Sequence, residues 1–296
     1  ELRKKYNSHN ISIAIFEGYL EGNEKTYTEY DLIPVINNLK QLKRLNNYAL
    51  EVSSTKAILN IDTGMNRLGL NEKEIEFLHS NKDIFKNIKL DYIMSHLANA
   101  QHEKNEKNLT QLDKIKKFSK NFPKIKLSLA NTGGIKLGSK FCLNQTRPGI
   151  GLYGIDNFGK TLNLKSSKLK LPLKLFAPII QIKSVKAGEK ISYGGIDVLK
   201  KNSILATVGI GYADGWLRLL KPNSKFLIGK EKCNIIGSIT MDSFILDITD
   251  IKKKNLKEGD YICLLDNSNF EDILKNSNII SYELLTLMGN RIIRKY

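Results

Sequence analysis

Two short stretches carry the residue types best suited to chemistry. Ser128-Leu-Ala-Asn-Thr-Gly-Gly134 and Gln145-Thr-Arg-Pro-Gly-Ile-Gly-Leu-Tyr-Gly154 each set an apolar run beside a small, Gly-containing turn. Turns of this kind expose backbone N–H groups, which bind anions at strand ends and helix N-termini because they are unsatisfied donors at the positive end of a dipole. Two in succession predict a phosphate cradle. Arg147, between them, adds a permanent cation with a planar donor fork. Either turn alone reads as an ordinary tight connection, with Arg147 a surface residue, because Gly turns are common.

The elements that must position these residues alternate in type. Apolar runs at residues 12–16, 32–36, 57–61, 90–94, 125–130 and 148–153 read as six strands. Between them lie helical periods: residues 38–48, with Leu39, Leu42, Leu45 and Ala49 on one face; residues 72–80; and residues 103–120, with Leu109, Leu112, Ile115 and Phe118 on one face. Such βα alternation predicts a parallel sheet, and barrels of this kind place their chemistry on loops after the C-terminal strand ends. Asp62, Arg67, His96, Asn131, Thr132 and Arg147 all fall there. A full barrel has eight strands, so the expected fold class is α/β, a (β/α)8-type barrel lacking its first two strand units. From about residue 166 the period shortens to two and turns recur, which predicts a second, mostly β domain ending in a helix at residues 281–287. The expected boundary lies near 165–170, giving domains 1–168 and 169–296.

Composition excludes several classes. A length of 296 residues with 41% hydrophobic content suits two domains. The formal charge of +17 is spread among Asn, Leu and Ile without an aromatic RNA-binding signature or a basic arm, so no nucleic-acid partner is expected. No run is long enough for a membrane helix, and the chain opens on Glu1 with no signal or transit pattern. The expectation is a cytoplasmic protein whose chain continues upstream. Cys142, Cys233 and Cys263 are far apart in apolar context, as reduced thiols are, and no metal-ligand spacing involves them or the four histidines.

Seven motifs in fixed order carry a resemblance. They are Asp62-Thr-Gly-Met-Asn-Arg-Leu-Gly69, Ser95-His-Leu-Ala98, Leu129-Ala-Asn-Thr132, Arg147-Pro-Gly-Ile-Gly-Leu-Tyr-Gly154, Ser192-Tyr-Gly194, Ile210-Gly-Tyr-Ala-Asp-Gly215 and Met241-Asp242. The series resembles that of alanine racemase, a fold-type III pyridoxal-phosphate (PLP) enzyme built as a barrel plus a β domain and acting as a homodimer with shared active sites. The resemblance implies racemisation of L-alanine and D-alanine, supplying D-alanine for peptidoglycan, with PLP in the cradle. It further implies that Asn131, Thr132, Gly149 and Ile150 hold the phosphate, that Arg147 faces the pyridine nitrogen and that His96 lies against the ring. On the same resemblance Arg67 would contact the phenolic oxygen and the substrate carboxylate, Tyr193 would be one of two acid–base groups, and Tyr212 and Met241, with Asp242 behind, would form the substrate mouth.

The chemistry accounts for these types. Racemisation removes a proton from one face of Cα and delivers one to the other, so two acid–base groups must flank the reacting carbon. An arginine, with a pKa above ~12, leaves the pyridine nitrogen unprotonated where an acid would protonate it. Three departures stand out. Nothing in residues 1–296 matches the family's PLP-lysine motif, Ala/Val-Lys-Ala-x-Ala-Tyr-Gly, so this span alone is expected to be inactive. Asn60 replaces a lysine, often carbamylated, that orients Arg67, and an anion such as chloride is the expected substitute. Asn290 stands where some members offer the phosphate a tyrosine. A racemase for serine or another amino acid, and a non-catalytic structural fragment, remain alternatives.

Overall fold

Parallel strands that follow one another in the sheet in chain order bring their C-terminal ends, and the loops after them, to one edge. The computed structural model describes residues 1–296 except 7–10, 53–54, 157–168, 224, 229–230, 253–255, 276 and 278. The chain divides into two compact units. The expected domain boundary, near 165–170, lies at the end of 157–168, which is outside the described residues.

The first unit holds α1 (Leu2–Lys5), β1 (Ile13–Ile15), α2 (Glu24–Glu29), β2 (Leu32–Ile36), α3 (Leu39–Glu51), β3 (Thr55–Asn60), α4 (Glu72–Ser80), β4 (Ile88–Met94), α5 (Lys107–Ser119), β5 (Lys126–Ser128), α6 (Thr132–Lys136) and α7 (Ser139–Cys142). Its strands form one parallel sheet in the order β1-β2-β3-β4-β5. This winding is barrel-like, because no reversal of strand order occurs as it does in doubly wound sheets. Register aligns Ile36 with Leu59, Asn60 with Met94 and Met94 with Ser128, so the loops after four strands open side by side. Both faces of β3 are covered. Ile58 packs with Ile33, Val35 and Met94, while Ala57 and Leu59 join the layer under the helices with Leu42, Leu45 and Ile115.

Local chemistry fixes the helix starts. Asn71 and Glu74 form a reciprocal capping box at α4, and the Asn38 side chain accepts the Gln41 N–H at 2.9 Å to start α3. The helix expected at 103–120 begins later, at Lys107, and its buried face differs: Leu109 is exposed, while Asn108 and Gln111 are buried beside Leu112, Ile115 and Phe118.

The sixth expected strand is corrected. Five strands form the sheet, and the apolar run at 148–153 is a 3-10 helix, Ile150–Tyr153. Only one parallel bridge, Ser128 to Gln145, extends the sheet beyond β5 among the described residues. Pro148 has no N–H to give a ladder, and Gly149 and Gly151 weaken an extended run on either side of Ile150.

The second unit holds β6 (Leu175–Val185), β7 (Lys190–Ile191), β8 (Asp197–Val198), β9 (Ser203–Val208), β10 (Lys225–Ile228), β11 (Glu231–Ile236), β12 (Phe244–Asp247), β13 (Tyr261–Leu265), α8 (Phe270–Lys275) and α9 (Ser281–Leu287). Antiparallel pairing gives the order β10-β11-β12-β9-β6-β13, with β7 and β8 as a separate ribbon. Residues 150–156 belong to this unit, and Ile150 is buried in its core. No helix among the described residues is long and apolar enough to cross a membrane.

Candidate active site

The loops at the C-terminal ends of β3, β4 and β5 are tied into one polar network. After β3, the Asp62 carboxylate accepts the N–H groups of Gly64, Met65 and Asn66 at 2.8, 2.9 and 3.1 Å, which curls the segment that presents Arg67. Gly69 closes the loop at φ 120°, where a Cβ would meet Asp62 N at 2.6 Å. Arg67 itself is exposed.

After β4 comes His96. Its Nε2 lies 3.2 Å from Nδ2 of Asn131, an amide that can only donate, so Nε2 accepts and the ring is neutral. Burial, reinforced by the charges of Arg147 and Arg67, holds its pKa down at about 4. Asn131 also caps α6, its Oδ1 accepting the Gly134 N–H at 2.9 Å.

Arg147 reaches the same place from the segment beside β5. Its backbone N–H donates to Ala130 O at 2.8 Å, and its guanidinium donates to the Ser128 hydroxyl, to Ser95 O at 2.5 Å and to Leu129 O at 3.4 Å. Among the described residues no carboxylate forms an ion pair with it. Burial lowers its pKa to about 10, so it remains a cation. Gly149 N–H donates to Thr132 Oγ1 at 3.1 Å, which joins the two Gly-containing turns into one rim. Open space surrounds the position a Gly149 Cβ would take. The set suits a phosphate ester whose ring carries an acceptor nitrogen: hydroxyl, amide and backbone groups line the rim beside a cation that no carboxylate pairs with among the described residues.

Several of the residues holding this site escape sequence reading. Gln111 of α5, 0% exposed, donates through Nε2 to Thr63 Oγ1 at 3.0 Å and to His96 O at 2.8 Å, while its Oε1 accepts the Ala98 N–H at 2.9 Å. Thr63 Oγ1 lies 2.7 Å from Ser95 Oγ. One buried amide therefore fastens the Arg67 loop to the His96 loop. Asn60, where an anion was expected as substitute, is buried and its amide donates to Asn37 Oδ1 at 2.8 Å.

The remaining expected residues lie in the second unit. Tyr193 is 79% exposed on the turn after β7. Ser192, just before it, holds φ 61°, a left-handed conformation uncommon for a non-glycine residue, with Gly194 at φ 75° and Gly195 at φ 53° behind. The Ser192 hydroxyl donates to Ser238 O at 3.3 Å and fixes this turn. Tyr212, Met241 and Asp242 are brought together, all three exposed. Tyr212 N–H donates to Thr240 O at 3.1 Å and Ala213 N–H to Met241 O at 3.0 Å. Trp216, fully buried against Phe226 with ring centroids 5.8 Å apart, anchors the Tyr212 turn in the β core. Asn290 is exposed beyond α9.

Comparison with known proteins covers both units. The family described as alanine racemase, N-terminal domain, matches residues 1–157, and alanine racemase, C-terminal domain, matches residues 173–296. The chain is 37% identical over 295 residues to alanine racemase of Rickettsia bellii, covering 99% of this chain and 71% of the relative. It is 34% identical over 304 residues to that of Brucella ovis, covering 99% and 77%. Among solved structures, alanine racemase from Bartonella henselae with covalently bound pyridoxal phosphate superposes with a TM-score of 0.90 at 35% identity, over 99% of this chain and 81% of that one. An alanine racemase of Clostridium difficile 630 gives 0.86 at 27% identity, over 98% and 77%.

Proposed function

This chain belongs to the alanine racemase family, and from that premise we propose how its residues divide the work. The reaction is the PLP-dependent interconversion of L-alanine and D-alanine. PLP, when bound, supplies the electron-accepting ring that stabilises charge at the substrate Cα.

The chain's own residues supply position and protons. Asn131 and Thr132, with the backbone N–H groups of Gly149 and Ile150, hold the phosphate. Arg147 would face the pyridine nitrogen of the cofactor and donate a hydrogen bond to it while keeping its own proton. His96, neutral, supports the ring without adding a charge. Arg67 binds the substrate carboxylate and the phenolic oxygen of the cofactor. Tyr193 carries a proton to or from one face of Cα at its phenolic oxygen. Tyr212, Met241 and Asp242 shape the mouth. The active assembly is a cytoplasmic homodimer in which Tyr193 of one copy serves the cradle of the other. No lysine of residues 1–296 stands in the family's cofactor-lysine motif, and covalent attachment of PLP is assigned to none of them.

The observation that carries this reading is Arg147: a half-buried cation held by a serine hydroxyl and two carbonyls, with no carboxylate partner among the described residues, beside a neutral imidazole. Formation of D-alanine from L-alanine by the PLP-loaded protein carrying the family's cofactor-lysine segment, followed by chiral chromatography, tests it. The expected result is approach to an equal mixture from either enantiomer, dependent on PLP. Conversion that is indifferent to PLP, or that yields pyruvate in place of D-alanine, overturns it.

A further inference from the structure

The two turns of the second unit that carry Tyr212 and Met241 touch along their backbones. Beyond the two hydrogen bonds already described, a Cβ on Gly211 would meet Met241 O and Thr240 O at 2.3 Å, so no side chain fits between them. Each turn also carries a carboxylate. Asp214, with 10% side-chain exposure, accepts the Gly211 N–H on Oδ2 at 3.0 Å, and Asp242 stands beside Met241. Two acids on touching turns repel each other, and the enclosed one is costly to leave unpaired. Arg291 resolves both problems. Its Nε lies 3.2 Å from Asp214 Oδ1, and its NH2 group lies 2.7 Å from Asp242 Oδ1, so one planar fork spans the two turns. A lysine has a single point charge and does not span two acids in this way.

The arginine is itself well placed. It follows α9, whose last turn rests on the Tyr212 turn: a Cβ on Gly215, at φ 92°, would meet Leu287 O at 2.3 Å. The Gly289 N–H donates to Asp214 O at 3.4 Å. The segment bearing Arg291 is thus tied to the Asp214 turn by backbone as well as by charge.

We propose that Arg291 is a positioning residue that clamps the Tyr212 and Met241 turns together and so sets the size of amino acid the mouth accepts. This rests on the reading of Tyr212 and Met241 as mouth residues. The clamp stabilises one spacing of the two side chains. Without it Asp214 and Asp242 push the turns apart, the mouth widens, and discrimination between alanine and the larger serine falls.

Amide hydrogen exchange on the chain itself tests the clamp. In Arg291→Met the Tyr212 and Ala213 amides should exchange about tenfold faster than in the wild type, with β9 and β12 little changed. Arg291→Lys should recover less than half of the lost protection. Wild-type rates at these two amides, or equal acceleration throughout β9 and β12, overturn the proposal. If Arg291→Met does not fold, Asp242→Asn removes one arm of the clamp from its exposed side and should accelerate the same two amides to a smaller extent. In the PLP-loaded enzyme carrying the family's cofactor-lysine segment, Arg291→Met should raise KM for alanine about fivefold with kcat little changed, and should narrow the alanine-to-serine ratio of kcat/KM. Tyr212→Ala separates the two ways of failing. If it alters KM while Arg291→Met does not, the clamp is wrong and the mouth stands; if neither alters KM, the mouth reading itself fails and the clamp's role in specificity falls with it.

Discussion

His96 is a histidine kept neutral by design of its surroundings. The Asn131 amide nitrogen faces its Nε2. Burial penalises the charge, and Arg147 and Arg67 repel a second proton, so its pKa sits at about 4 against an ordinary 6.5. Because the folded value lies below the unfolded one, the unfolded chain takes up a proton first as pH falls. The stabilisation is therefore fully present above pH 6.5 and is lost as pH drops through about 4, amounting to at most roughly 3 kcal/mol. Replacing His96 with Gln should flatten this stretch of the stability curve: urea midpoints near pH 7 and about pH 4.5 should lie closer together in the variant than in the wild type. Equal pH dependence in the two proteins contradicts the neutral histidine. Arg147 is legible in the sequence by type and by its place between two glycine turns. Its holders are not: Ser128 reads as a neutral strand residue, and Ser95 acts through its carbonyl, which any residue possesses.

At the scale of elements, α5 shows where periodicity reads correctly and where it misleads. Leu112, Ile115 and Phe118 face the core as their spacing predicts, yet the turn before them buries Asn108 and Gln111 and exposes Leu109. The reason is the loop after β4, which offers carbonyls and N–H groups that leucine cannot satisfy: Asn108 Nδ2 donates to His102 O at 3.0 Å, and Gln111 bonds His96 and Ala98. Replacing Gln111 with Leu should strand these groups and destabilise the first unit by about 2–4 kcal/mol, whereas Leu109→Gln should change stability by less than about 0.5 kcal/mol. Denaturant unfolding of both variants decides the matter, and the opposite order of effects contradicts the buried amide as the fastener of the two loops. Helix α4 matches its expected span of 72–80 because its capping box is written locally in Asn71 and Glu74. The run at 148–153 is misread as a strand because hydrophobicity marks burial without naming the backbone state. Ile150 is indeed buried, but in a 3-10 turn that follows Pro148.

At the scale of the whole molecule, the alternation of βα units and the later change of period make two units and their classes legible. The polar network that joins the Arg67, His96, Asn131 and Arg147 segments depends on strand register, which places residues far apart in sequence at one edge and leaves little local signal. Arg291 shows the same limit, since its two carboxylate partners lie 77 and 49 positions away by residue number (291 − 214 and 291 − 242). The central claim is racemisation at Cα by groups on opposite faces, with Tyr193 serving one of them. A racemase of this kind that loses one group can still exchange the α-proton of the enantiomer served by the other, but cannot turn one hand into the other. The most direct measurement is deuterium incorporation at Cα from heavy water, followed separately for L-alanine and D-alanine in the PLP-loaded wild type and in Tyr193→Phe, both carrying the family's cofactor-lysine segment. The wild type should label both and interconvert them; Tyr193→Phe should stop interconversion while one enantiomer still takes up deuterium. Continued racemisation in Tyr193→Phe, or equal labelling of both enantiomers by it, would contradict the account.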